Sequence, residues 1–323
     1  MPIDVTLRWD HLKRLTGPLG LYEHALYDVP RTACGYTTDD NGRALVVLAR
    51  AEPTGVDPAP YLRHVLGSFD GRRLLLRRRS DGRWLSEYSD DAQARGLWGL
   101  GEWIGSGRGS PEAERVFEAG LRLDSGHPRA NAYMILGVAA ASRAGEVDWD
   151  RRILGRLPRP TRGRWAWPAP RLTYDNARIP EALIRVGALA GDDRAVSDGL
   201  RLLEWLVEEE MGDGHFSFTP VAGRGPGDPR PGFDQQPIEA WAMADACHAA
   251  WEVDGSSRWA HAMVMAAEWF LGSNDTGVAV YDAGTGAGFD GLGPEGVNLN
   301  RGAESTLAAL GALWRLVEAR AMA

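Results

Sequence analysis

The sequence predicts an all-α fold, an (α/α)6 toroid of six helical hairpins with a small β-hairpin at its rim. Three observations lead there. Five short polar clusters rich in Asp, Asn, Gln or Glu each open directly into an apolar stretch that reads as a helix: residues 36–41, 89–93, 173–176, 233–237 and 298–304. Several of those stretches are apolar nearly all round and rich in small residues, as in helices buried on both sides. Between them lie segments with apolar residues three and four apart and charges interspersed, as in helices buried on one side.

Taken in chain order, 5–15 is an outer helix, and the cluster 36–41 begins an inner one carrying the apolar run 44–49. An outer helix at 60–66 follows. Residues 72–84 break the pattern; the run of arginines around Leu74-Leu75-Leu76, with Asp81-Gly82, reads as a β-hairpin and its turn. Its arginines form a solvated strand face or an anion contact. The cluster 89–93 starts the next inner helix, 105–109 is a glycine-rich loop, and 111–123 is outer. The wide interval before Asp175 holds one more helix start at 127–131, followed by the apolar run 133–141. Residues 148–157 are the weakest outer candidate. Clusters 173–176, 233–237 and 298–304 begin the last three inner helices, the last carrying 307–313, with outer partners at 193–207 and 257–271. The Gly/Pro-rich stretches 222–232 and 282–296 are rim or lid loops. Six units of about 54 residues suit a two-helix hairpin repeat in a single domain spanning 1–323.

Bulk properties exclude other classes. A net charge of −8 and pI near 5.5 give no general electrostatic reason to bind nucleic acid. The N-terminus lacks the apolar core of a signal peptide and no stretch is suited to span a bilayer, so a cytoplasmic protein is expected. Cys34 and Cys247 offer neither a disulfide framework nor zinc-ligand spacing. No cofactor and no metal is expected. No G-x-S-x-G elbow, Walker loop, Rossmann fingerprint or H-E-x-x-H is present.

Helix N-termini gathered at one end of a toroid would place carboxylates where glycoside cleavage needs them, one acid to protonate the leaving oxygen and one carboxylate to activate water or attack. Asp40, Asp91, Asp175, Asp234 and Glu304 are the candidate catalytic acids. Each is also well placed to cap its own helix. The doublets Asp39-Asp40 and Asp90-Asp91 exceed what a cap requires, with Arg43 and Arg95 one turn on as counter-charges. Glu239 stands at capping-box distance from Gln236 and serves either as a cap or as a ligand contact; Glu181 lies similarly beside Pro180. Candidate substrate contacts are Tyr36, Asp39, Asn41, Arg43, Trp167, Tyr174, Asn176, His215, Gln235, Gln236, Glu239, Asn300 and Arg301. Trp165 and Trp167, two apart in an extended segment, form a stacking platform or a piece of core.

Gly35-Tyr36-Thr37-Thr38-Asp39-Asp40-Asn41, Trp165-Ala166-Trp167-Pro168 with Leu172-Thr173-Tyr174-Asp175-Asn176-Ala177-Arg178, Phe233-Asp234-Gln235-Gln236-Pro237-Ile238-Glu239-Ala240 and Gly302-Ala303-Glu304-Ser305-Thr306-Leu307 resemble a bacterial family of six-hairpin-glycosidase-like proteins. Its members are commonly encoded beside or fused to glycosyltransferases and β-mannoside phosphorylases, and many carry a "glycosyltransferase" label. The resemblance covers nearly the whole chain. It implies the toroid and a glycan ligand, with a glycosyltransferase as a possible partner, and it assigns no catalytic pair. The family more often reads Asn-Gln-Gly where this chain has Asn300-Arg301-Gly302; an Arg there either adds an anion contact or weakens the site.

The expectation is a glycoside hydrolase acting on an oligosaccharide or polysaccharide. Two alternatives stand beside it. One is a sugar lyase or epimerase, with Tyr36, Tyr174 or His215 as the base. The other is a non-catalytic glycan-binding or assembly partner of a glycosyltransferase.

Overall fold

The computed structural model of the protein describes residues 6–51, 54–145 and 147–321. Among them are eleven α-helices: α1 (Asp10–Leu15), α2 (Thr38–Arg50), α3 (Ala59–Gly67), α4 (Asp90–Trp103), α5 (Pro111–Gly120), α6 (Pro128–Ala141), α7 (Arg178–Ala190), α8 (Asp193–Glu210), α9 (Pro237–Asp254), α10 (Ser257–Glu268) and α11 (Ala303–Ala321). The polar clusters stand where expected, at the starts of α2, α4, α7, α9 and α11. The predicted first helix is shorter than its pattern, beginning at Asp10; Val5 lies outside the described residues. The weak candidate at 148–157 is a 3-10 segment, Arg151–Arg156, and the loop expected at 105–109 is largely a π-helical extension of α4.

The chain divides into two compact units, one running from Leu12 to Leu157 and the other joining the stretch through His11 to Pro158 and beyond. In the N-terminal unit α2, α4 and α6 pack side by side, with α3 and α5 against their outer faces. Contact between the three is made backbone to backbone through glycine. A Cβ at Gly99 would stand 2.4 Å from the Gly42 carbonyl oxygen, and one at Gly101 2.2 Å from that of Gly137. The C-terminal ends of the three helices are tied by buried Glu102, which accepts from Arg50 Nε at 3.2 Å, Arg143 Nη2 at 2.6 Å and Trp98 Nε1 at 3.3 Å. The predicted hairpin is present: Arg79 and Arg83 pair across the Asp81-Gly82 turn, Gly82 has φ +92°, and Arg77–Arg78 pairs antiparallel with Tyr36–Thr37 ahead of α2.

In the C-terminal unit α7 packs on α8, α9 on α10, and α9 touches both α7 and α11. Side-chain oxygens or glycines mark several helix ends. Asp192 accepts from Ala195 N at the start of α8, and Gly191 and Gly255 close α7 and α9 in the left-handed region. The two loops expected at the rim contain no helix, and the second carries two small hairpins, Tyr281–Asp282 with Ala287–Gly288 and Leu292–Gly293 with Gly296–Val297. No described helix is long and apolar enough to cross a membrane.

Candidate active site

The helix starts of the N-terminal unit carry an interlocked set of charges. Arg43 Nη1 donates to Asp40 Oδ1 at 2.7 Å and to Asp39 Oδ2 at 3.3 Å, and Thr37 Oγ1 donates to Asp40 Oδ2 at 2.8 Å. Arg95 reaches three helices: its Nη1 lies 3.5 Å from Asp91 Oδ2 and 4.0 Å from Asp39 Oδ2, and its Nη2 donates to Tyr133 Oη at 2.7 Å. Arg43 and Arg95 are thus the counter-charges to the acid doublets. Burial alone would raise the Asp39 carboxyl; Arg43 and then Arg95 outweigh it and hold it below the ordinary range. Asp40 is buried in these bonds. Asn41 is committed to backbone, accepting from Leu21 N at 2.9 Å and donating to Thr37 O at 2.7 Å.

Tyr36 corrects one expectation. It is fully buried against Tyr22, with ring centroids 4.4 Å apart, and burial pushes its phenol well above the usual range. With no surface exposed, Tyr36 is packed into the core ahead of α2 and is not open to a substrate as a base would need to be. Trp167 corrects another. It is buried and stacked on Trp205 of α8 at 6.3 Å, with Trp165 edge-on to the same ring at 4.9 Å, so it belongs to packing and offers no open face to a sugar.

In the C-terminal unit, Glu239 spans two helix starts. Its carboxylate accepts from the backbone N–H of Asp175 and, at 3.1 and 3.0 Å, from the backbone and side-chain nitrogens of Asn176. The capping box with Gln236 does not form; the Gln236 side chain makes no cap bond, and Glu239 braces the turn before α7. That turn needs bracing because Asp175 has φ +50°. Burial, then the carboxylates of Glu210 and Asp175, push the Glu239 carboxyl well above the glutamate range, against the pull of those N–H donors. Glu210, itself raised by burial, accepts from Thr219 N and Oγ1. Beneath them, fully buried Arg178 lies 3.5 Å from Asp175 Oδ1 and donates to Glu181 and Asp245, both at 2.7 Å.

Asp234, Gln235 and Gln236 line a cavity of about 430 Å³ together with Val221 and the loop 290–298. Asp234 is exposed there. Gln235 is fixed from behind: its Nε2 donates to Asp275 Oδ2 at 2.5 Å, and its Oε1 accepts from Trp269 Nε1 at 3.2 Å. His215 Nε2 meets the other oxygen of Asp275 at 3.0 Å. Asp290 caps α11, its Oδ1 accepting from Gly302 N at 2.6 Å and Ser305 Oγ at 2.9 Å, while its N–H donates to Asn300 O. Glu304 sits part-buried in the first turn of α11. Arg301 is engaged, its guanidinium 3.6 Å from Asp282 Oδ2 and 4.8 Å from the centre of the Phe289 ring. Tyr174 is exposed beside Asp175.

The structure therefore joins Asp39, Asp40, Arg43 and Asp91 in one network, Asp175, Asn176 and Glu239 in a second, and Asp234, Gln235 and Gln236 on one cavity. Sequence reasoning passed over Glu210, Asp275 and Asp290. Asp275 carried only a turn signal in Asn274-Asp275-Thr276-Gly277, and Asp290 lay inside a Gly-rich loop. Among the described residues no group of three or more His, Cys, Asp and Glu is placed to hold a metal ion.

No family model and no curated protein sequence matches the chain. Solved structures do. Cellobiose 2-epimerase from Bacillus thermoamylovorans B4167 superposes with a TM-score of 0.69 at 11% identity, covering 98% of this chain and 96% of that one. A sugar epimerase from a ruminal bacterium gives 0.67 at 11%, covering 95% of each. The GH76 α-mannanase of Bacteroides thetaiotaomicron gives 0.59 at 10%, covering 88% and 87%. At such identities the likeness defines the fold, and the chain has the (α/α)6 toroid fold with small β-hairpins.

Proposed function

We propose that the protein is a carbohydrate-active enzyme and, within that class, a glycoside hydrolase. The observation that carries the reading is the chemistry of the 430 Å³ cavity at the start of α9. Its titratable lining among the described residues is carboxylic, namely Asp234, Asp290 and Glu295. A volume of that order suits a small ligand. Hydrolysis of a glycosidic bond asks for carboxyl groups on both sides of the bond. Asp290 is occupied in capping α11, which leaves exposed Asp234 and Glu295 on the cavity; Asp234 is the first candidate for proton transfer, and Glu304, in the first turn of α11 and outside that lining, is the second. Gln235, clamped by Asp275 and Trp269, would hold the cavity wall rigid around the substrate. The sugar-processing neighbours of the fold are consistent with this class.

The second reading is an epimerase or isomerase, favoured by the His215–Asp275 pair. An imidazole with one nitrogen on a carboxylate has the arrangement of a general base.

The test separates them. Asp234→Asn and Glu304→Gln keep shape but cannot transfer a proton, and each is expected to cut turnover on a responsive glycan roughly 10²-fold or more. Wild type and variants are assayed on mannan, glucan and galactan oligosaccharides, reading reducing ends for hydrolysis and NMR of the sugar ring for epimerisation. New reducing ends lost in both variants support hydrolysis. A changed sugar without chain cleavage, lost in His215→Gln, replaces it with the second reading. Tight binding without either product, unaltered in all variants, makes the protein a glycan-binding partner.

A further inference from the structure

The arginines of the hairpin region and the loop after α5 take no part in the site above. In the N-terminal unit two cavities of about 560 and 570 Å³ adjoin, sharing Arg122, Leu123 and Asp124. The second is lined by Arg72, Arg73 and Arg122 beside Asp90 and Gln93 in the first turn of α4. Of its two acids, Asp124 is ion-paired and Asp90 is hydrogen-bonded to a neutral hydroxyl. Asp124 Oδ1 pairs with Arg156 Nη1 at 2.7 Å, and Asp90 Oδ2 accepts from Ser125 Oγ at 2.6 Å. Gln93 is spent on Leu74 N and Gly120 O, and Arg73 lies over the Tyr88 ring at 4.1 Å. The guanidiniums of Arg72 and Arg122, both exposed, have no hydrogen-bond, ion-pair or ring partner among the described residues.

Arg72 and Arg122 stand on one cavity in a chain of net charge −8, where carboxylates outnumber basic side chains. Each presents a planar fork of N–H donors suited to the paired oxygens of a carboxylate or phosphate. The adjoining cavity adds Trp149, half-buried, whose ring suits the apolar face of a sugar. We propose that this cavity binds the anionic group of a sugar, the carboxylate of a uronic acid or a phosphate ester, between Arg72 and Arg122. The sugar part of this proposal rests on the carbohydrate reading; the anion part does not.

The experiment is calorimetric titration of the full chain at low salt with galacturonic acid, mannose 6-phosphate, mannose and inorganic phosphate. Wild type is expected to bind one of the two acidic sugars at least roughly tenfold more tightly than mannose, the scale of one charge-assisted contact. The Arg72→Gln/Arg122→Gln double variant is expected to lose that preference, and Arg72→Lys/Arg122→Lys to keep part of it. Preference for galacturonic acid identifies a uronate site, and preference for mannose 6-phosphate a phosphate-ester site. The titration reads binding at Arg72 and Arg122 whatever the cleavage assay gives, so a failed hydrolase reading leaves this result standing. Equal binding of mannose, binding of inorganic phosphate with no acidic sugar, no binding at all, or an unchanged Gln double variant each overturns the proposal. Circular dichroism of the variants, whose substitutions are at exposed positions, checks that a loss of binding is not a loss of fold.

Discussion

Replacing Glu102 by Gln should expose how the N-terminal unit depends on one buried charge. The carboxyl is 3% exposed and receives Arg50, Arg143 and Trp98. Burial works to raise its pKa; Arg50 and then Arg143 overcome this and bring it down from 4.5 to about 2. Such a depression corresponds to about 3 kcal/mol of folding stability at neutral pH, little screened because the carboxyl is out of water. The folded-state pKa is the lower one, so the contribution is complete above the unfolded value near 4.5 and is lost as the pH falls toward 2. Glu102→Gln leaves the part-buried Arg50 beside a neutral amide, and a cost of about 3 kcal/mol at pH 7 is expected. Urea unfolding followed by circular dichroism at a series of pH values from neutral downward measures it. The gap between wild type and variant should narrow below pH 4.5. A cost under about 1 kcal/mol at pH 7, or a gap that stays constant with pH, refutes the reasoning.

Three further outcomes are expected. Gly101→Ala should destabilise by roughly 3 kcal/mol or more in urea titration, because its Cβ would meet the Gly137 backbone oxygen with no side chain able to yield. At Asp175, glycine should be tolerated better than alanine by about 1 kcal/mol, the reverse of the usual ordering, because φ is +50°; if alanine is the more stable, the turn before α7 is not strained as described. Arg301→Gln gives up Asp282 and the Phe289 ring, and its thermal unfolding should shift by no more than about 1 kcal/mol. Glycan cleavage gained by that variant and absent from the wild type would mean that Arg301 silences the site.

Helix starts were legible because capping chemistry and apolar runs are local. The clusters at 36–41 and 233–237 announce α2 and α9 by residues within one turn of each other. The 148–157 segment was hard to read because a 3-10 turn leaves little periodicity. What was hidden was partner choice across long separations. Glu239 reads in the sequence as a local cap or a ligand contact, and it holds Asp175 and Asn176 some sixty residues away. Trp167 read equally well as platform or core until Trp205 was seen beneath it. Asp275 acquires meaning only from Gln235 and His215, forty and sixty residues distant. Periodicity reports which face of a helix is buried, and is silent on what lies opposite.

The glycine contacts between α2, α4 and α6 build the wall of the N-terminal unit from main chain set against main chain at Gly42, Gly99 and Gly101. A wall of that kind cannot be tuned by small increments, since the smallest enlargement already collides with main chain. A change in the ligand proposed for this unit would therefore arise in the segments that precede the helices, at exposed positions such as 71, 72, 122 and 124, where substitutions meet solvent before they meet backbone. Libraries aimed at altered specificity would be best confined to those loops, and drift among relatives should concentrate there while the glycines stay fixed.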